Sequence, residues 1–248
     1  MDLSLLDIFS IIWFICCWMG YSLFARHAAR KRNSLSSVLY RYRQEWVRKL
    51  SRSGMSEVDA ELLASLEKQV SFLASTSLLI LASLVTVLST ASGMFMNLSS
   101  MRFVAEVPLE VVQLKLLVMI FIFIYGFFTF TWSIRQYGFC FFLFGSSFNT
   151  VKYYRENEDY KATAAKRDFG ALTKVLDRAA NSYNYGIRAY YFAMAGLAWF
   201  INAWFFIAAC AVIVLVLYRR EFRSSSLKAM VAARLVDNVH EEEEIRFD

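Results

Sequence analysis

The chain has 248 residues, of which 58% are hydrophobic and 17% aromatic, with a formal net charge of +6 and a mean hydropathy of +0.40. Soluble domains average ~45–50% apolar residues, so this composition argues against a soluble globular protein. The basic residues lie beside apolar stretches, where Lys and Arg contact anionic lipid headgroups and set topology. We therefore expect membrane lipids as partners, and no nucleic acid.

Four stretches without a charged residue organise the chain: 8–25, 70–97, 116–134 and 189–218. A membrane-spanning helix needs ~20 predominantly apolar residues. The sequence thus predicts an all-α integral membrane bundle of four transmembrane helices, with spans at about 5–24, 72–94, 114–137 and 189–218. The last stretch would reach ~45 Å as one helix, whereas the hydrocarbon core is ~30 Å thick. It must tilt, extend past the membrane or break.

Amphipathic helices are predicted in the two basic linkers. The linker between spans one and two carries an apolar stripe at helical spacing, formed by Leu39, Tyr42, Trp46 and Leu50. Such a basic, aromatic-bearing helix is typical of a membrane surface. Ser56, with Asp59 three residues later, predicts an N-cap and capping box for the helix that leads into span two. The linker between spans three and four has a similar apolar face, at Ala165, Phe169, Leu172, Leu176 and Ala179.

The distribution of Lys and Arg predicts the orientation. The segments 26–68 and 152–178 carry ten and seven of them, whereas the loop 97–114 carries one. The positive-inside rule then places both linkers in the cytoplasm of a bacterial inner membrane, with the amino terminus outside. Four spans would also put the carboxyl terminus outside, although six basic residues follow the last span. An extra crossing, by 139–148 or by a broken fourth span, is the alternative. The acidic tail 227–248 is predicted to be disordered.

Small and hydroxyl side chains form a stripe on span two that includes Ser75, Thr86 and Ser89. Small residues let helix backbones approach closely in lipid, so the stripe predicts a helix–helix interface. The alternative is a polar lining for a pore or substrate path. Asn202, the amide near the middle of the fourth predicted span, has the same two interpretations.

Two arginines near the basic ends of the spans, Arg135 and Arg188, are candidate binding residues. Each is framed by aromatic and polar residues, and a guanidinium prefers planar partners. Facing one another, they would form a pocket for an anion or a lipid headgroup. The alternative for Arg135 is a structural role, in which its guanidinium extends to the headgroups. Lys115, at the other end of span three, is expected to extend its ammonium group towards the headgroups.

Enzyme and metal signatures are absent from the sequence. It has no GxSxG, Walker, GxGxxG or HExxH motif, and its two histidines, His27 and His240, lie far apart. None of the four cysteines belongs to a CxxC pair, whereas zinc and redox sites need clustered ligands. We therefore expect no catalytic residue, no metal and no cofactor.

Several aromatic and basic motifs occur in a characteristic order. They are Trp46, FLAST at 72–76, FTWSIRQY at 130–137, YNYGIRAYYF at 183–192 and YRREF at 218–222. This combination resembles the domain-of-unknown-function family 599, small multi-span membrane proteins of bacteria and plants, over nearly the whole chain up to about Ser226. The resemblance implies an all-helical membrane protein and brings no established activity.

Three functional hypotheses follow from the sequence. The leading one is a non-enzymatic membrane subunit that acts by self-association or by association with a larger membrane complex. The alternative is a small channel or transporter for ions or small anions, lined by the hydroxyl stripe and Asn202. A lipid-modifying enzyme is the third.

Overall fold

The computed structural model describes residues 5–31, 34–53, 55–98, 108–153 and 158–233. Across these ranges the chain is helical and contains no strand, which confirms the all-α prediction. Six helices follow one another: α1 (Leu5–Lys31), α2 (Leu35–Ser53), α3 (Glu57–Leu98), α4 (Leu109–Tyr153), α5 (Glu158–Trp199) and α6 (Ala203–Arg223). A further helical segment covers 225–233. The first residues of the tail predicted to be disordered, 227–233, are therefore helical, and the rest of that tail, 234–248, lies outside the described residues.

Four helical stretches among the described residues are long and apolar enough to cross a membrane. They are Leu5–Ala28, Glu57–Thr90, Leu109–Gly145 and Ala203–Ala233. The first three contain most of the first three predicted spans. The fourth begins fourteen residues later than predicted, because the apolar stretch 189–218 is not one helix.

A reversal of the chain divides that stretch into two antiparallel helices. Helix α5 ends at Trp199 and α6 begins at Ala203. The Trp199 ring stacks on Phe206 with centroids 4.9 Å apart, and Arg220 donates a hydrogen bond to the Tyr191 hydroxyl, 29 residues away in sequence. In one continuous helix those two residues would be ~43 Å apart. The predicted single span 189–218 is therefore wrong, and a helical hairpin takes its place. Of the three outcomes expected for so long a stretch, namely a tilt, an extension past the membrane or a break, the structure shows the break.

Asn202 explains where the reversal occurs. Its backbone is extended (φ −162°, ψ 149°) and its side-chain oxygen accepts a hydrogen bond from the Trp204 backbone N–H at 3.1 Å. Asn is among the best helix N-caps, because its side chain binds an N–H that the first turn leaves unpaired. The residue predicted at mid-span is thus the exposed N-cap of α6.

Two apolar cores hold the helices together. The first joins α1, α4, α5 and α6 around buried aromatic side chains, among them Phe14, Phe123, Phe192, Trp199 and Phe206. The second joins α2, α3, α4 and α5 around Val47, Leu63, Phe130, Cys140, Leu172 and Leu176. The predicted apolar face at 169–179 is buried here, although its helix continues to Trp199 instead of forming a separate element.

Candidate functional site

A polar cavity lies between α1, α2, α5 and α6, at the end of the bundle that carries the basic linkers. It has a volume of about 60 Å³ and is lined by Ala25, Arg26, Ser36, Asn181, Asn184, Tyr185, Arg188 and Glu221. Helix α5 supplies half of this wall, because residues 181, 184, 185 and 188 are spaced at three and four along the helix and so share a face. We call it the Arg26–Arg188 cavity.

Aromatic rings position the two guanidinium groups. Arg188 lies over Tyr21, 5.2 Å from the ring centroid, and over Tyr185 at 5.6 Å. Arg26 lies 5.0 Å from the centroid of the same Tyr185 ring, and its Nε donates a hydrogen bond to the Tyr185 hydroxyl at 2.5 Å. Tyr185 therefore holds both guanidiniums through cation–π contacts, which leave their outer N–H groups available to a ligand.

One carboxylate belongs to the same cavity. Glu221, on α6, accepts a hydrogen bond from the backbone N–H of Ser36 at 3.1 Å, which ties the start of α2 to the end of α6. Neither guanidinium forms an ion pair with a described carboxylate within 4.0 Å. With two arginines and one glutamate, the ionisable side chains of the wall carry a formal charge of +1.

An ion pair next to the cavity fixes α2 against α5. Arg43 Nη2 lies 2.6 Å from Asp177 Oδ1, and Asn181 Nδ2 donates to the other oxygen of Asp177 at 3.0 Å. Asp177 and Asn181 are one helical turn apart, so the pair continues the polar face of α5 beyond the cavity. The network holds the wall residue Asn181 in place.

The structure places Arg188 in this cavity but Arg135 outside it. Arg135 is exposed on α4, in line with the outward-facing Phe128, Trp132 and Phe139. The second arginine near Arg188 is Arg26, which was not among the predicted binding residues. It was not found because the antiparallel packing of α1 on α5 brings together two residues that are far apart in the sequence.

The predicted hydroxyl stripe lies on the outside of the described chain. Ser75, Thr86 and Ser89 are exposed, and the last two donate hydrogen bonds to carbonyls of their own helix, at Ala82 and Thr86. The hydroxyl that reaches another helix is the buried Ser77, 2.9 Å from the Tyr190 hydroxyl of α5. Asn202, at the hairpin turn, is remote from this contact in the fold.

Lys115 forms a polar cluster at the opposite end of the bundle. Its side chain is only 7% exposed, its ammonium donates to the Trp199 carbonyl at 2.9 Å, and it lies 5.4 Å from the centroid of the Trp199 ring. The Trp199 indole N–H donates to Asp7 Oδ1 at 3.2 Å. Lys115 therefore points into the protein and caps the last turn of α5, where a positive charge is favourable.

Among the described residues, no group of three or more His, Cys, Asp or Glu side chains is placed to hold a metal ion. Comparison with known families finds one match, to the model described as "Protein of unknown function, DUF599", over residues 9–226. No curated protein and no solved structure matches the chain.

Proposed function

This chain belongs to the family of proteins of unknown function DUF599, and we propose that it is a non-enzymatic multi-pass membrane subunit that acts by self-association. The interface we propose is one face of α3, and its occupant is the same face of a second copy. The observation that carries the proposal is the exposure of this face both inside and beyond the membrane-spanning part of the helix.

The proposed interface follows a heptad pattern. Alternating steps of four and three residues connect Val58, Leu62, Ser65, Gln69, Phe72, Thr76, Leu79, Ser83 and Thr86, and we call this set the α3 seam. All are exposed except Thr76, which is half-buried. The predicted stripe residues Ser75 and Ser89 flank the seam. A repeat of 3.5 residues keeps one face of a helix against a partner helix, and small side chains let the two backbones approach closely.

Lipid does not account for the first part of the seam. The candidate span Glu57–Thr90 has 34 residues, or ~51 Å, which is longer than the ~30 Å hydrocarbon core. Because Glu61, Glu67 and Lys68 lie in its first part, we infer that this part extends out of the core. Val58 and Leu62, in the same part, are nevertheless 64% and 54% exposed. Apolar side chains outside the hydrocarbon layer gain by packing against protein.

The size of the seam suits a pair of identical helices. From Val58 to Ser89 the helix is ~47 Å long, and with a width of ~10 Å it offers ~470 Å² per copy. Two copies would bury ~900 Å², close to the ~1,000 Å² of the smallest specific interfaces. Phe142 of α4, 78% exposed, adds apolar surface at the same level. A twofold dimer is also the commonest form of oligomer.

Disulfide cross-linking in membranes tests the proposed dimer. With the exposed Cys16 replaced by serine, we expect Leu62→Cys and Leu79→Cys to form cross-linked dimers under mild oxidation. Leu215→Cys, 64% exposed compared with 54% for Leu62 and 71% for Leu79 but on α6, is the matched control and should stay monomeric. A particle of dimer mass in mild detergent is the accompanying result. Monomers throughout, or a seam occupied by a different membrane protein, would contradict the proposal.

We also infer that the helical hairpin crosses the membrane twice. Its turn lies level with Asp7 and Lys115, which both contact Trp199. At the other end of the hairpin, Tyr185 of α5 and Glu221 of α6 line the cavity together with Arg26. Asp7 and Arg26 are 19 residues apart on α1, or ~28 Å, close to the ~30 Å hydrocarbon thickness. Five crossings follow, by the four candidate spans and by the apolar end of α5, with the amino terminus outside and the carboxyl terminus inside. The six basic residues after position 218 then obey the positive-inside rule.

Reporter fusions at two positions distinguish five crossings from four. Green fluorescent protein fused after Asp248 is expected to fluoresce, because it folds in the cytoplasm, and alkaline phosphatase at the same position is expected to be inactive. At the turn, after Ile201, the two reporters should give the reverse result. Active phosphatase after Asp248 would restore the four-span topology.

The channel and transporter hypothesis has weaker support. Its proposed lining residues Ser75, Thr86, Ser89 and Asn202 all lie on the outer surface of the described chain. A polar path would have to form between copies.

A further inference from the structure

We propose that the Arg26–Arg188 cavity binds the phosphate group of an anionic ligand at the cytoplasmic boundary of the membrane. The chemistry is that of a phosphate monoester or diester, which a lipid headgroup or a free phosphate compound can supply. The site requires only one copy of the chain and is therefore independent of the proposed dimer.

Unused hydrogen-bond donors converge on the cavity. Arg188 donates no hydrogen bond to a described residue, and Arg26 donates only through Nε, to Tyr185. The side-chain amide of Asn184, also in the wall, has no described partner. The guanidinium of Arg26 on α1, and the amide of Asn184 and the guanidinium of Arg188 one turn apart on α5, match the several oxygens of a phosphate, which Arg recognises through paired N–H groups.

The size and the position of the cavity agree with this ligand. One water molecule needs ~10–15 Å³ of cavity, so about 60 Å³ accommodates a group of several heavy atoms. The cavity lies where α1 and α6 leave their apolar stretches, at Arg26 and Glu221. Lipid phosphates are found at this depth, and basic pockets between helices on the cytoplasmic side are typical headgroup sites.

Glu221 provides a further test of phosphate binding, because its negative charge repels an anion in the cavity. Replacing it by glutamine removes that charge and keeps the side-chain oxygen that accepts from Ser36 N–H. We therefore expect Glu221→Gln to bind the phosphate group more tightly than the unchanged protein. A cavity with a purely structural role predicts no such gain.

The experiment uses the full-length protein in neutral phosphatidylcholine nanodiscs with a small fraction of phosphatidic acid. Native mass spectrometry after release counts the phosphatidic acid molecules retained by each protein. Removing one charged donor is expected to weaken retention about tenfold, so Arg188→Gln and Arg26→Gln should both lose lipid. Arg135→Gln, an exposed arginine at the same end, and Arg219→Gln are matched controls expected to retain it.

A second arm supplies inorganic phosphate to protein in neutral nanodiscs and measures the thermal unfolding temperature. Retained lipid without an effect of phosphate would identify a headgroup as the ligand, and stabilisation by phosphate without retained lipid would identify a free anion. The proposal is overturned if neither probe binds. It is equally overturned if folded Arg188→Gln and Arg26→Gln bind like the unchanged protein, or if Glu221→Gln binds less.

Discussion

Replacing Gly186 by alanine is expected to lower the free energy of unfolding by about 2 kcal/mol, the middle of the usual range for overpacking a core. A Cβ atom at this position would lie 2.6 Å from Cζ and 2.7 Å from Cδ1 of Phe130. Phe130 has no exposed surface and packs against Tyr183 and Tyr190, with ring centroids 6.3 and 5.4 Å away. Because the buried ring is flanked by these two aromatic side chains, we expect the added methyl group to push α4 and α5 apart.

Gly170 of the same helix provides a matched control. No atom lies within 4 Å of the position its Cβ would take, so Gly170→Ala should stabilise the helix by about 0.5–1 kcal/mol. The measurement is thermal unfolding in detergent, where 1 kcal/mol corresponds to roughly 2–4 °C for a chain of this length. Equal unfolding temperatures for the two variants would show that α4 and α5 do not approach this closely. Phe130→Leu should partly rescue Gly186→Ala, because the two residues are in contact.

Local patterns in the sequence were sufficient to predict the apolar helices and the residue at which α3 begins. Uncharged stretches near ~20 residues predict helices because the bilayer core satisfies no backbone hydrogen bond. The predicted capping box is confirmed: Ser56 N–H donates to Asp59 Oδ2 at 3.0 Å and Asp59 N–H donates to Ser56 Oγ at 3.2 Å. The two partners are only three positions apart in the sequence, so a local pattern is enough to predict the contact.

The hairpin and the cavity depend on contacts between distant parts of the chain. The stretch 189–218 has the same apolar composition whether it forms one long helix or two antiparallel helices. Composition therefore does not predict the reversal of the chain. Asn202 was a usable signal, since an amide in an apolar stretch followed by a helix is a good N-cap. The pairing of Arg26 with Arg188 had no local signal, because it requires the packing of α1 on α5.

The sequence also did not predict which face of α3 is buried against other helices and which is exposed. Ser75 and Ser77 differ by two positions, which turns the side chains ~200° apart around a helix. One is exposed and the other is buried against Tyr190. In a membrane both the lipid-facing and the core-facing surfaces are apolar, so hydrophobic periodicity does not separate them. Only the position of α4 and α5 identifies the buried side.

Replacing Lys115 by methionine is expected to lower the free energy of unfolding by about 2–3 kcal/mol. Methionine keeps the apolar stem but removes the ammonium that donates to the Trp199 carbonyl, and hydrogen bonds to charged groups contribute about 1.5–3 kcal/mol. The change also leaves the carboxylate of Asp7, which attracts Lys115, without that positive charge. Since Trp199 is the last residue of α5, the loss acts on the turn that makes the hairpin.

Thermal unfolding in detergent checks this prediction, with Lys68→Met as the control. Lys68 is exposed on α3, and surface substitutions of this kind stay within about ±0.5 kcal/mol. Asp7→Asn adds a second comparison, because the indole of Trp199 donates to Asp7 and asparagine keeps an acceptor oxygen there. If Lys115, Trp199 and Asp7 act as one cluster, the double variant should lose less stability than the sum of the single variants. Strict additivity would mean that Lys115 caps α5 independently of Asp7, and an unchanged Lys115→Met protein would contradict the cap itself.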